Sequence, residues 1–120
     1  MKKVLIVDNS SYMRKFVKKV IEKGGSYSIL EASGKEDAME IFKSENPNIV
    51  ILDLNISESA MEGMDVLTDM ININSETAVI IASAIGHEEV KEKCIGLGAK
   101  NYIKKPIDTK ILMKTLEECN

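Results

Sequence analysis

The sequence contains no tryptophan, a single histidine, two prolines and two cysteines, and its aromatics amount to 4% of 120 residues. Cys94 and Cys119 lack metal-ligand spacing and sit in helix-like stretches, which argues against a zinc module or a disulfide scaffold and suits free thiols in a reducing cytosol. No apolar run is long enough to span a membrane. The charged start Met1-Lys2-Lys3 is followed only by Val4 to Val7 before Asp8, too little for the apolar stretch of a signal peptide. Basic excess is also missing: the formal charge is -3, with both signs mixed, which argues against a nucleic-acid partner. Linkers, repeats and low-complexity segments are absent. These absences describe one soluble, cytoplasmic domain over residues 1–120, with no affinity for nucleic acid or membrane, large enough to bury a single core.

What the chain does have is a set of short apolar runs, each ending in a polar group. Ile49 to Leu52 is apolar and rich in β-branched residues, reads as a strand buried on both faces, and runs into Asp53. Ionised carboxylate is costly inside such a strand, so Asp53 belongs at its carboxyl end. Val4 to Val7 repeats the pattern and ends in Asp8-Asn9. Ala78 to Ala82 ends in Ser83, and the short strand Asn101 to Lys104 ends in Lys105-Pro106. Tyr27 to Ala32 is a weaker strand.

Between the strands lie helical patterns. Ser10 or Ser11 caps a helix carrying Met13, Phe16, Val17, Val20 and Ile21, stopped by Gly24-Gly25. Ser33-Gly34-Lys35-Glu36 has the spacing of a capping box before Ala38, Met39, Ile41 and Phe42, and Asn46-Pro47 ends that helix. A polar loop through Gly63 precedes a short helix from Met64 to about Ile71. Glu88 to Leu97 is a helix with acids in its first turn, and Asp108 caps a last helix with Ile111, Leu112 and Leu116 inward. Five strands alternating with five helices give an α/β fold: a doubly wound parallel sheet covered on both faces.

Parallel strands share one carboxyl edge, where such sheets bind ligands. If the order is 2-1-3-4-5, the first and third strands are neighbours, and Asp8 and Asp53 face each other with Ser83 and Lys105 nearby. Paired carboxylates call for a cation between them, and hard oxygen ligands suit Mg²⁺. Carboxylate, metal, lysine and hydroxyl together are the parts of a phosphoryl acceptor. Alone, each residue has a plainer reading: Ser83 a strand-end hydroxyl, Lys105 a solvated lysine, Tyr102 a half-buried strand aromatic. His87, among acids before a helix, is a solvated helix-start residue.

The run Val-Asp-Asn-Ser, then Ile-Leu-Asp-Leu-Asn, then Ala-Ser-Ala, then Tyr-Ile-Lys-Lys-Pro resembles the receiver domain of two-component response regulators, most of all the single-domain chemotaxis regulators. The resemblance covers the whole chain and implies the flavodoxin-like receiver fold in order 2-1-3-4-5. It implies phosphorylation of Asp53 by a sensor histidine kinase, with Mg²⁺ held by Asp8, Asn9, Asp53 and the backbone carbonyl of Asn55. Ser83 matches the switch hydroxyl, Tyr102 the switch aromatic and Lys105 the phosphate-binding lysine; the Lys105-Pro106 bond is a cis candidate. Phosphorylation would change the surface of the fourth helix, fifth strand and fifth helix for a downstream protein target, in a monomer or weak dimer that is a signalling domain rather than an enzyme.

Three departures from the family pattern stand out. Asn9 replaces the second acid of the acidic pair. The loop after Asp53 lacks the usual proline, with Ser57 near its place, and runs two residues longer. Ile85 is apolar where fast-turnover relatives orient a water. Asn9 and the loop also fit an alternative, a degenerate receiver that binds proteins without accepting phosphate. A flavin carrier is disfavoured because Asp8 opens the loop that would have to cradle a phosphate. An aspartate-type phosphatase would want two aspartates one residue apart after the first strand, where this chain has Asp8-Asn9-Ser10.

Overall fold

The protein is described here by a computed structural model covering residues 1–56 and 60–119. In chain order the elements are β1 (Lys2–Val7), α1 (Ser11–Gly24), β2 (Tyr27–Ala32), α2 (Lys35–Glu45), β3 (Ile49–Asp53), α3 (Ala60–Ile73), β4 (Ala78–Ser83), α4 (Glu88–Gly96), β5 (Asn101–Lys104) and α5 (Thr109–Glu118). The strands form one parallel sheet in the order β2-β1-β3-β4-β5. The switch in winding direction therefore falls between β1 and β3, as expected of this order.

Side chains alternate across a strand with period two, and each central strand feeds two cores. Leu5, Val7, Val50, Leu52, Val79 and Ile81 pack with Ala38 and Phe42 of α2, Val66, Leu67 and Met70 of α3, and Cys94 of α4. Val4, Ile6, Ile49, Ile51, Ile80 and Ala82 pack on the opposite face with Val17 and Ile21 of α1 and Leu112 and Leu116 of α5. β3 and β4 are buried along their whole length. That is why these runs are apolar throughout rather than alternating.

Helix ends follow local chemistry, with three corrections to the sequence reading. Ser10 caps α1, its hydroxyl accepting from the Met13 N–H at 3.2 Å, and Asp108 caps α5 through the N–H groups of Lys110 and Ile111. At α2 the capping acid is Asp37, not Glu36. Gly34 is the N-cap, and the Asp37 carboxylate reaches back to the N–H groups of Ser33 and Gly34 at 2.8 and 2.9 Å and to the Ser33 hydroxyl. These donors, outweighing its modest burial, hold the Asp37 carboxyl below the usual range. Asn46 ends α2 in the left-handed region, φ 49°, where asparagine is tolerated, and Pro47 blocks continuation.

The second correction is that α3 starts at Ala60, so Gly63 lies within the helix instead of before it. A Cβ on Gly63 would come 2.4 Å from the Leu54 carbonyl oxygen. The glycine is there to let the helix press against the backbone that follows β3. The third concerns α5: Leu112, Thr115 and Leu116 are buried, but Ile111 is 53% exposed. Ser57 lies outside the described residues.

Candidate functional site

The strand period decides where each edge residue points. Asp53 has the parity of Ile49 and Ile51, Asp8 that of Val4 and Ile6, and Lys105 that of Ile103; all these neighbours belong to the core beneath α1 and α5. Ser83 and Tyr102 instead share parity with Val79 and Ile81 and with the opposite core, which includes α4. Two groups form at the edge, meeting at the end of β4.

The first group is ionic. Asp8 and Asp53 are each 5% exposed. The Lys105 ammonium donates to Asp8 Oδ2 at 2.9 Å and lies 3.4 Å from Asp53 Oδ2. It fills the place between two carboxylates that would otherwise repel. The Lys105 N–H donates to the Ser83 carbonyl at 2.8 Å, and the Lys105-Pro106 peptide is cis. Asp8 Oδ1 accepts from the Ser10 N–H and Asp53 Oδ1 from the Asn55 N–H, at 2.9 and 3.0 Å. Burial pushes the Asp53 carboxyl above its ordinary pKa; the Asn55 N–H and the Lys105 charge oppose that, and Asp8 adds to it.

The second group is a latch on one residue, Ile85. The Ser83 hydroxyl, fully buried, accepts from the Ile85 N–H at 3.1 Å, and the Tyr102 hydroxyl donates to the Ile85 carbonyl. Both faces of the loop after β4 are thus tied at Ile85. Burial raises the Tyr102 phenol, with the Ser83 hydroxyl opposing. Ser83 engages its own loop here rather than the carboxylates.

One contributor has no counterpart in the sequence reading. The Arg14 guanidinium, from the first turn of α1, donates to the Asp8 backbone carbonyl at 2.6 Å and pairs with Glu31 of β2 at 3.3 Å. No local pattern marked it, because Glu31 is an exposed acid on another element and carries no requirement for a partner. His87 is exposed and heads α4 without a side-chain cap bond.

The donor set suits a hard divalent cation. Asp8 and Asp53 bring two buried carboxylates to one point, and Asn9 and Asn55 beside them add only an amide or carbonyl oxygen each. Asn9 is exposed and Asn55 half-buried, which leaves access from solvent. Among the described residues no group of three or more His, Cys, Asp or Glu gathers. Any ion here would therefore be bound by few charges.

Residues 4–117 match the family model described as the response regulator receiver domain. The chain is 32% identical over 117 residues to the chemotaxis protein CheY of Thermotoga maritima, covering 98% of this chain and 96% of that protein. Against the chemotaxis protein CheY of Bacillus subtilis it is 28% identical, with 97% and 95% covered. Among solved structures, a response regulator receiver domain protein from Clostridium thermocellum superposes with a TM-score of 0.89 at 26% identity, covering 99% of this chain and 94% of that one.

Proposed function

This chain belongs to the family of response regulator receiver domains, and on that premise we propose that Asp53 accepts the phosphoryl group, with residues 1–120 acting as one receiver domain. One observation carries the proposal: the Lys105 ammonium is poised between the Asp8 and Asp53 carboxylates at the carboxyl edge of the sheet. Burying two acids at an edge open to solvent costs stability to no purpose in a phosphorylation-independent module, which supports the acceptor reading over that alternative.

The chemistry follows from the positions. An Asp53 carboxylate oxygen attacks phosphorus and the bond from phosphorus to the donor's imidazole nitrogen breaks; with the other ring nitrogen already protonated, the ring keeps the bonding pair and leaves as neutral imidazole. Asn55 fixes Oδ1 through its N–H, and burial leaves the nucleophile poorly hydrated. Lys105 turns its charge to the incoming phosphoryl oxygens. Asp8, Asn9, Asp53 and the Asn55 carbonyl would hold Mg²⁺, which when bound neutralises phosphoryl charge. Beside Lys105 a recess of about 440 Å³, lined by Tyr12, Met13, Phe16, Ala84, Pro106 and Ile107, offers an apolar approach for a histidine kinase.

Output would pass through the latch. A phosphoryl oxygen draws the Ser83 hydroxyl off the Ile85 N–H, Tyr102 rearranges with the loop, and the face of α4, β5 and α5 changes its affinity for a target protein. The test of the whole reading is intact mass after incubation with Mg²⁺ and acetyl phosphate. The mass should rise by one phosphoryl group; an unchanged mass with Mg²⁺ shown to bind would defeat it.

Two departures give measurable consequences. Asn9→Asp adds a charge at an exposed position, where such an interaction is worth about 1 kcal/mol, so Mg²⁺ should bind about fivefold tighter by calorimetry. Equal titrations would refute this. Ile85 is half-buried in the loop two residues after Ser83 and offers no polar side-chain atom to an attacking water. Ile85→Glu should shorten the acyl-phosphate lifetime about tenfold, less than full general-base catalysis would give. An unchanged decay rate would count against it.

A further inference from the structure

We propose that Arg14 and Glu31 form a charge-neutral positioning pair that fixes the Asp8-Asn9 backbone for metal binding. The inference rests on the reading of Asp8 and Asn9 as metal ligands. Both peptide groups flanking Asp8 are tied to the end of β2. Its N–H donates to the Ala32 carbonyl at 3.1 Å, and its own carbonyl accepts from Arg14, which Glu31 orients. The carbonyl of Asp8 belongs to the peptide that leads into Asn9, so the guanidinium sets that peptide plane and with it the direction in which the Asn9 side chain leaves. A site with few charges depends more on placement than one with three carboxylates.

Charge alone would argue against a guanidinium there, since a cation near Asp8 opposes Mg²⁺. Glu31 removes that objection. Its carboxylate also meets Lys18 at 3.9 Å, and while Glu31 reaches solvent, the Arg14 side chain is only 18% exposed, so the guanidinium itself is held at the Asp8 carbonyl with little competition from water. Arginine suits the task because its planar fork reaches a carbonyl and a carboxylate together, which a lysine cannot.

The test separates placement from charge. In the double variant Arg14→Gln/Glu31→Gln the net charge is conserved while the fork and its anchor are lost. Calorimetric titration of the intact chain with Mg²⁺ should show affinity reduced about tenfold, the usual cost of losing an outer support of a metal ligand. Arg14→Lys should fall between this and wild type. Double-variant affinity equal to wild type, whatever happens to its melting temperature in Mg²⁺-free buffer, would reduce the pair to a tie between α1 and β2 and overturn the proposal alone. If the double variant fails to fold, Arg14→Lys decides: an unchanged affinity overturns it. A wild-type chain that binds no Mg²⁺, tested beside Asp8→Asn, overturns this proposal and the metal reading together.

Discussion

Asp53→Asn is expected to abolish the phosphoryl adduct and, at the same time, to melt at a higher temperature than wild type in Mg²⁺-free buffer. The first effect removes the nucleophile. The second comes from the elevated pKa of the buried carboxyl. At a pH below that of an unfolded aspartate, about 4, the group is protonated in both states and costs the fold nothing. As the pH rises through the folded-state pKa, the wild type must ionise a buried group and loses stability that the amide keeps. The gap in melting temperature should therefore be absent near pH 3.5, open on the way to neutrality, and narrow again when Mg²⁺ is added. Thermal scans over that range, beside intact mass, read both effects. A persisting adduct would move the acceptor elsewhere, and a constant gap would remove burial as the cause.

Lys105→Met should be the most destabilising change at this edge. It leaves Asp8 and Asp53, with side chains only 7% and 6% exposed, facing each other without a cation. Breaking a buried ion pair by deleting one partner costs about 3 to 5 kcal/mol, and the partial exposure of Lys105 places this case near the lower figure. Methionine fits the apolar recess beside Ile107 and Phe16, so lost packing contributes little. Denaturant unfolding should show the loss at neutral pH, and added Mg²⁺ should restore more stability to the variant than it gives the wild type. Phosphorylation from acetyl phosphate should slow about 100-fold, as for other losses of a single charge-stabilising donor. A variant as stable as wild type without metal would mean that Lys105 is not what offsets the two carboxylates.

Strand identity and sheet edge were readable because burial on both faces leaves runs such as Ile49–Leu52 and Val79–Ala82 with no polar interruption. The meeting of Asp8, Asp53 and Lys105 follows once those strands are parallel and ordered. What was harder to read depended on contacts distant in sequence. Gly63 looks like a stop, and only the pressure of Leu54 against it shows why a helix passes through. Ile111 fits the apolar spacing of α5 as well as Leu112 does, and the helix's rotation against α1 and the sheet chose between them. Asp37 and Glu36 are adjacent acids, and one residue in the position of the cap decided which reaches back. Ser83's outlook was available from parity: counting by twos from Ile81 places it with Tyr102 and away from Asp53. Arg14 had no local pattern at all, because its partner Glu31 lies on another element.

The contact between Lys105 and Asp8 joins residues 97 positions apart. During synthesis, Asp8 and Asp53 leave the ribosome long before the lysine that sets their charge. Until β5 has taken its place beside β4, the chain has the two acids of this edge without the cation that meets them. On the proposed reading of Asp53 as the acceptor, a nascent chain has its nucleophile but not yet the ammonium that would steady an incoming phosphoryl group. Docking of β5 beside β4 brings the Lys105 ammonium to both carboxylates together.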